Sequence, residues 1–222
     1  DPVTSLNPYQ TLGESIVEPL RARGMKKRER EKIVEKLATE VGLPHSLLHH
    51  FPRNASVGQN QRACIARALS VEPDYLFLDE PLSALDAVKQ KEISLLLARL
   101  TSRHGLTCFL ISHDLSLVKE IGTTVAVMYM GRIVEKGPVA SFFVNPTHPY
   151  SKVLLSNTLK PGLWMDKRIV LEGEAPSPHN PPTGCAFHPR CPKAISVCER
   201  CPPSKTFVSK GHEVFCHLNR DI

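Results

Sequence analysis

The sequence predicts an α/β domain with a largely parallel sheet, followed by a C-terminal extension. Residues 75–78 and 107–111 are short, continuous apolar runs, which are typical of strands buried on both faces of a sheet. A long helical pattern over residues 85–103 separates them, and a helical crossover of this kind joins parallel strands. From residue 138 onward the chain becomes rich in proline and then in cysteine, which indicates the extension.

The other elements follow from the local pattern of apolar residues, prolines and glycines. Residues 1–24 contain three prolines and predict a loop that runs into a short helix. The remaining predicted elements are an amphipathic helix over 25–42, a turn-rich stretch over 44–54, a helix over 56–70, a helix over 115–121, strands over 124–129 and 132–135 joined at Gly131, two short helices over 139–160 and a proline-rich linker over 173–183. The buried stripe of the amphipathic helix is predicted to be Met25, Ile33, Val34, Leu37 and Val41.

Composition and charge exclude several classes of protein. Hydrophobic residues make up 41% of the chain and charged residues 23%, which is typical of a globular protein and not of a disordered one. No apolar run approaches the roughly 18 residues that a membrane span needs. Residues 21–36 carry eight basic and three acidic side chains without interleaved aromatics, so we interpret them as a solvated helix face and expect no nucleic-acid partner.

Polar side chains follow both predicted buried strands. Asp79 and Glu80 come after the first strand, and His113 follows the second. At the carboxyl ends of parallel strands such groups face the ligand crevice, where one carboxylate can hold Mg²⁺ and another can activate water. Taken alone, Asp79 and Glu80 also fit an ordinary acidic pair at a helix start. His113, taken alone, also fits an ordinary surface histidine.

A second candidate site opens the helix over residues 56–70. Residues 56–59 read Ser-Val-Gly-Gln, and a helix start with a serine hydroxyl and a small residue can bind a phosphate oxygen. The alternative is an ordinary serine N-cap.

In order and spacing these motifs resemble the ATP-binding cassette of ABC transporters, over nearly the whole chain. Residues 55–59 stand in the place of the signature motif, and residues 75–80 resemble the Walker B strand with its catalytic glutamate. Residues 83–86 resemble the D-loop, and His113 resembles the switch histidine. The resemblance implies an ABC-type nucleotide-binding domain, with a RecA-like parallel sheet and a helical subdomain.

The resemblance also implies ligands and roles. ATP and Mg²⁺ would bind, with Asp79 on the Mg²⁺, Glu80 as base on the attacking water and His113 at the γ-phosphate. The nucleotide-binding residues would further include Ser56, Gly58, Gln59 and Asp86, and the first three of these would act on the nucleotide of a partner subunit.

Three further segments are similar to the oligopeptide/dipeptide/nickel importers within this superfamily. They are residues 1–8, residues 145–150 (Asn-Pro-Thr-His-Pro-Tyr) and residues 184–192 with their two cysteines. This similarity implies a division into a post-Q-loop segment and helical subdomain (1–60), a RecA-like core (61–138), a helical extension with linker (139–183) and a cysteine-rich metal-binding tail (184–222).

The chain departs from the family pattern in two ways. It contains no Gly-x-x-x-x-Gly-Lys-Ser/Thr loop, so we expect that this chain alone does not hold ATP tightly. In the signature, Ala55 and Val57 replace the family's leucine and first glycine, and a β-branched valine is bulkier and more restricted than glycine. We therefore expect one weak composite ATP site.

The last 38 residues hold five of the seven cysteines in a proline-rich segment that we predict is too small to fold on a hydrophobic core. The resemblance implies a four-iron, four-sulfur (4Fe–4S) cluster on Cys185, Cys191, Cys198 and Cys216. Zinc is the alternative metal, and Cys201 is an alternative to Cys198.

The predicted function is therefore the ATPase subunit that powers import of peptides or related small solutes, peripheral on the cytoplasmic face of the membrane. Its partners would be a second, paralogous ATPase subunit, two membrane-spanning permeases and an extracytoplasmic solute-binding protein. The alternative is a non-catalytic scaffold that docks on a partner and uses its metal-bound tail structurally.

Overall fold

The computed structural model describes residues 2–158, 169–171, 173–174, 176–177 and 179–219. The chain divides into two compact units, residues 1–113 and 114–222. The elements of the first unit are α1 (Pro2–Ser5), α2 (Leu12–Ala22), α3 (Lys27–Val41), 3₁₀ turns at His45–His49 and Pro52–Asn54, α4 (Val57–Leu69), β1 (Tyr75–Asp79), α5 (Ala87–His104) and β2 (Thr107–Ile111).

Several helix ends in the first unit are fixed by capping residues. Thr11 and Ser56 each form a capping box, at the starts of α2 and α4. The first unit's longer helices α3 and α5 end at Gly42 and Gly105, whose φ values of 69° and 63° suit a left-handed C-cap. Of the stripe predicted for α3, Val34, Leu37 and Val41 are buried, whereas Met25 and Ile33 are half-buried because Met25 precedes the helix and Ile33 lies at the edge of its buried face.

The strands β1 and β2 pair in parallel, with Leu76 opposite Cys108, as predicted. The prediction that both strands are buried on both faces is wrong. Phe77 is 73% exposed and Phe109 is 47% exposed, and their rings stack 4.8 Å apart. Leu76, on the other face, is 4% exposed, so the described part of the unit covers one face of this sheet.

The second unit is built around an antiparallel sheet with the strand order β3-β4-β6-β5. Its elements are α6 (Leu115–Ile121), β3 (Thr124–Tyr129), β4 (Arg132–Pro138), α7 (Val139–Val144), α8 (Pro149–Thr158), a 3₁₀ turn at His188–Arg190, α9 (Ser196–Arg200), β5 (Lys205–Ser209), β6 (His212–Phe215) and a 3₁₀ turn at His217–Asn219. The expectation of a largely parallel sheet is therefore wrong for this unit. Met130 and Gly131 have φ values of 48° and 74°, and so tight a hairpin turn makes β3 and β4 antiparallel.

The cysteine-rich tail is part of this hydrophobic core, contrary to the prediction. Phe187 is 1% exposed and Val214 is fully buried. The ring of Phe187 lies 5.2 Å from that of Tyr129 and 5.3 Å from that of Tyr150, between centroids. The tail therefore folds because it adds a hairpin and an aromatic side chain to a core that β3, β4 and α8 begin.

Two positions of the predicted proline-rich linker, 175 and 178, lie outside the described residues, and its described positions form no helix or strand. None of the helices in the described ranges is long and apolar enough to cross a lipid bilayer.

Candidate functional site

The turn after β1 is tied to the end of β2. The amide of Glu80 donates to the carbonyl oxygen of Ile111 at 3.0 Å, and Ser83 Oγ donates to the carbonyl oxygen of Glu80 at 3.0 Å. Glu80 has a φ of 44°, in the left-handed region that a side chain disfavours by about 1–2 kcal/mol. Such strain is concentrated at functional sites, where the surrounding structure holds it.

Glu80 and His113 form a hydrogen-bonded pair across the ends of the two strands. Nδ1 of His113 lies 2.9 Å from Oε1 of Glu80, and the His113 amide donates to the same oxygen at 3.1 Å. Because an ionised carboxylate accepts and cannot donate, Nδ1 carries the proton in this pair. The Glu80 side chain is 36% exposed, so its carboxylate is fixed in place and still reachable from solvent.

Asp79 is exposed at the end of β1 and lines a cavity of about 210 Å³ with Gln61 and Cys64. An exposed carboxylate beside a cavity is a suitable oxygen ligand for Mg²⁺, which keeps several waters when it binds to proteins. The residues present therefore fit the predicted metal ion.

The start of α4 is ordered by its own side chains. Ser56 Oγ accepts from the amide of Gln59 at 3.3 Å, and the Gln59 side chain accepts from the amide of Ser56 at 2.8 Å. Gly58 is buried, and a Cβ at its position would lie 3.6 Å from Cδ of Lys89.

Asp86 caps α5 and binds Lys89 twice. One carboxylate oxygen accepts from the Lys89 amide at 3.0 Å, and the other lies 2.9 Å from the Lys89 ammonium. These hydrogen bonds lower the pKa of Asp86. Sequence reasoning missed Lys89, although an aspartate followed three residues later by a lysine, near the start of a predicted helix, was a usable signal.

The structure thus arranges the predicted site residues in two groups. Asp79, Glu80 and His113 lie together at the ends of β1 and β2. The second group, at the starts of α4 and α5, consists of Ser56, Gly58, Gln59 and Asp86. Their roles stay predictions.

The four cysteines predicted as metal ligands are neighbours in the second unit. Burial raises the pKa of the Cys185, Cys191 and Cys216 thiols, and nearby cysteines, including Cys198, raise it further. Cys201 is exposed, whereas Cys198 is buried.

Across the described ranges, however, no group of three or more Cys, His, Asp or Glu side chains is placed to hold a metal ion. The arrangement therefore does not fit the predicted 4Fe–4S cluster or zinc ion. Buried thiols with a raised pKa stay protonated at neutral pH and pack as small apolar groups.

Two family models match the chain. The model described as "ABC transporter" matches residues 3–83, and the model described as "Oligopeptide/dipeptide transporter, C-terminal region" matches residues 134–198.

Curated relatives extend the match to almost the whole chain. The oligopeptide transport ATP-binding protein AppF of Bacillus subtilis is 44% identical over 98% of this chain, and the match covers 68% of the relative. The probable peptide ABC transporter ATP-binding protein y4tS of Sinorhizobium fredii is 42% identical over 98% of this chain and 62% of the relative. The chain therefore spans about two thirds of the length of these relatives.

A solved structure, the post-hydrolysis dimer of the ATP-binding cassette MJ0796 bound to ADP and Pi, is similar with a TM-score of 0.55. The two chains are 28% identical, and the match covers 60% of this chain and 59% of the other. The parallel strands, the capped helices and the matching models agree with one another: the chain belongs to the family of ATP-binding proteins of oligopeptide and dipeptide ABC transporters.

Proposed function

We propose that this chain belongs to an ATPase subunit that powers the import of peptides or related small solutes across the cytoplasmic membrane. The observation that carries the proposal is the hydrogen bond between Glu80 and His113 at the ends of two parallel strands. The names of the relatives, which refer to oligopeptide and peptide transport, support the solute class.

In this proposal Glu80 accepts a proton from the water that attacks the γ-phosphorus of ATP. A bond forms between the water oxygen and phosphorus, the bond to the bridging oxygen of ADP breaks, and ADP and phosphate leave. His113 donates to Glu80 and so fixes the orientation of the carboxylate. Mg²⁺ on Asp79 would offset charge on the phosphates.

Ser56, Gly58 and Gln59, at the start of α4, act on the nucleotide of a second, paralogous ATPase subunit. Val57 stands in the first turn of α4, where close approach of a phosphate favours glycine. We infer that the composite site using this turn is weak. Two permeases and a solute-binding protein complete the assembly, with the ATPase subunits at its cytoplasmic face.

Substitution of Glu80 tests the proposal. Glu80→Gln keeps the size and the hydrogen-bond acceptor but removes the base, so we expect ATP hydrolysis by the full-length protein, assembled with its membrane partners, to fall at least about 100-fold. Glu18→Gln, at an exposed position of α2, is the matched control. Hydrolysis by the Glu80→Gln protein at the wild-type rate would contradict the proposal.

Reversion of Val57 tests the weak composite site. Val57→Gly restores the family's residue, and we expect it to increase ATP-dependent association with the partner subunit several-fold. A matched change, Val88→Gly at an exposed position in the first turn of α5, controls for the general effect of glycine. Unchanged association in the Val57→Gly protein would contradict the proposal that Val57 weakens the composite ATP site.

A second candidate function is the non-catalytic scaffold. It is favoured by the capping box of α4, in which Ser56 and Gln59 already satisfy each other, next to the bulky Val57. Equilibrium binding of ATP to the full-length protein separates the two candidates, since a scaffold would bind none.

The 4Fe–4S cluster and its zinc alternative stay predictions that the placement of the thiols in the described residues does not support. Elemental analysis and an anaerobic visible spectrum of the full-length protein test both. Because Cys198 is buried and Cys201 exposed, loss of metal in Cys198→Ser but not in Cys201→Ser would identify the ligand.

A further inference from the structure

Lys89 connects the start of α5 to the start of α4. Its side chain turns back toward the cap of its own helix, because Asp86 accepts from the Lys89 amide at 3.0 Å and lies 2.9 Å from the ammonium. The carboxylate of Asp86 thus binds both the backbone amide and the side-chain ammonium of Lys89.

The hydrocarbon part of this lysine lies close to Gly58 in the signature motif. A Cβ on Gly58 would be 3.6 Å from Cδ of Lys89 and 3.9 Å from Cδ2 of Leu85, which is ordinary van der Waals contact. Gly58 is buried, and these two side chains, one in α5 and one just before it, lie near it. The ammonium, two bonds beyond Cδ, is held by the carboxylate of Asp86.

The ion pair itself contributes little to the stability of the fold. The side chains of Lys89 and Asp86 are 51% and 55% exposed, and half-exposed ion pairs are weak. Substitutions of Lys89 are therefore not expected to unfold the protein, and their effects report on the turn that the lysine contacts.

We propose that Lys89 is a positioning residue that holds the signature turn (residues 55–59) through the placement of its side chain beside Gly58. In this turn Val57 replaces a glycine, and the lysine stem, kept in place by Asp86, fixes the backbone from outside. For its effect on ATP this inference rests on the proposed function.

Hydrogen exchange tests the positioning without nucleotide. The amides of Gln59 and Asn60 donate to Ser56 Oγ and to the carbonyl oxygen of Ser56, so their exchange reports on the turn. We expect exchange at these amides to be about fivefold faster in Lys89→Ala, less affected in Lys89→Met and restored in Lys89→Arg. Lys32→Met, at an exposed position of α3, is the control and should stay at the wild-type rate.

Nucleotide dependence separates positioning from a merely structural role. In the assembled full-length protein we expect Lys89→Ala to raise the half-saturating ATP concentration about fivefold at nearly unchanged kcat, with recovery in Lys89→Arg. Unchanged exchange in Lys89→Ala, or altered exchange with an unaltered half-saturating concentration, would overturn the inference. If the wild-type protein hydrolyses no ATP, the proposed function fails, and the exchange rates of Gln59 and Asn60 alone decide whether Lys89 positions the turn.

Discussion

The carboxylate of Glu135 on β4 has no exposed surface and lies 2.7 Å from Nε2 of His212 on β6. It also accepts from the backbone amides of Thr147 at 2.9 Å and His148 at 2.8 Å. Gly137 makes room for this contact, since a Cβ there would lie 2.8 Å from the His212 ring. One buried side chain therefore joins β4, the segment before α8 and the C-terminal hairpin.

Removal of His212 should destabilise the C-terminal unit. His212→Ala leaves the buried carboxylate of Glu135 without its histidine partner, and breaking a buried pair in this way costs about 3–5 kcal/mol. Urea denaturation followed by circular dichroism measures the change. Lys205→Met removes a half-exposed partner of Glu213 in the same hairpin and should cost at most about 1 kcal/mol, so equal effects of the two substitutions would contradict the prediction.

Stability should also fall in mild acid because of His148. Burial lowers the pKa of this histidine from 6.5 to about 4, against a smaller opposite effect of Glu135, and its Nδ1 accepts from the amide of Tyr150 at 3.0 Å. As pH falls below 6.5, His148 binds a proton in the unfolded chain, whereas in the folded chain it stays neutral until about pH 4. The neutral, buried His148 makes its full contribution to the free energy of unfolding above pH 6.5. About 3 kcal/mol of this free energy is lost as pH falls to about 4.

The matched variant for this prediction is His148→Asn, which keeps an acceptor for the Tyr150 amide but does not titrate. The free energy of unfolding, measured between pH 7.5 and pH 4 (about the midpoint of the folded histidine), should fall less steeply in the variant. Identical slopes for both proteins would show that His148 is not the group responsible.

Some elements could be predicted from the sequence because their ends are marked locally. The predicted bounds of α6 and β3 coincide with the observed ones, where Asp114 caps the helix and Gly131 turns the strand into its hairpin. The pairing of Glu80 with His113 could also be predicted, because each residue follows one of two strands that are neighbours in a parallel sheet.

Other features depend on contacts between distant residues, which no local pattern encodes. Glu135 looks like an exposed glutamate in sequence, yet it is buried because His212, 77 positions later, binds it. The exposure of Phe77 depends on what covers its face of the sheet, which the apolar run of its own strand does not encode. The strands β5 and β6 do have a local signal, because β-branched and aromatic side chains lie on either side of Lys210 and Gly211.

Gly184 should be intolerant of any side chain. Its φ of 68° is left-handed, and a Cβ would lie 2.3 Å from the carbonyl oxygen of Cys198, which also accepts from the Cys185 amide at 2.8 Å. Because the clash is with backbone, we expect Gly184→Ala to cost about 3 kcal/mol or more by urea denaturation. Gly211→Ala, with a φ of 73° and nothing within 4 Å, should cost about 1–2 kcal/mol, and a Gly184→Ala protein no less stable than this control would refute the clash.

The contact between His113 and Glu80 predicts a graded loss of ATP hydrolysis. His113→Ala removes the Nδ1 donor at 2.9 Å and leaves the backbone amide bond at 3.1 Å, so Glu80 stays near its position but loses one of two hydrogen bonds to the same oxygen. We expect kcat to fall about 100-fold, whereas His113→Asn, whose amide can donate to the same oxygen, should retain more activity. Steady-state hydrolysis by the assembled full-length protein measures both. If the asparagine variant were as impaired as the alanine variant, the histidine would act on the substrate directly and not through Glu80.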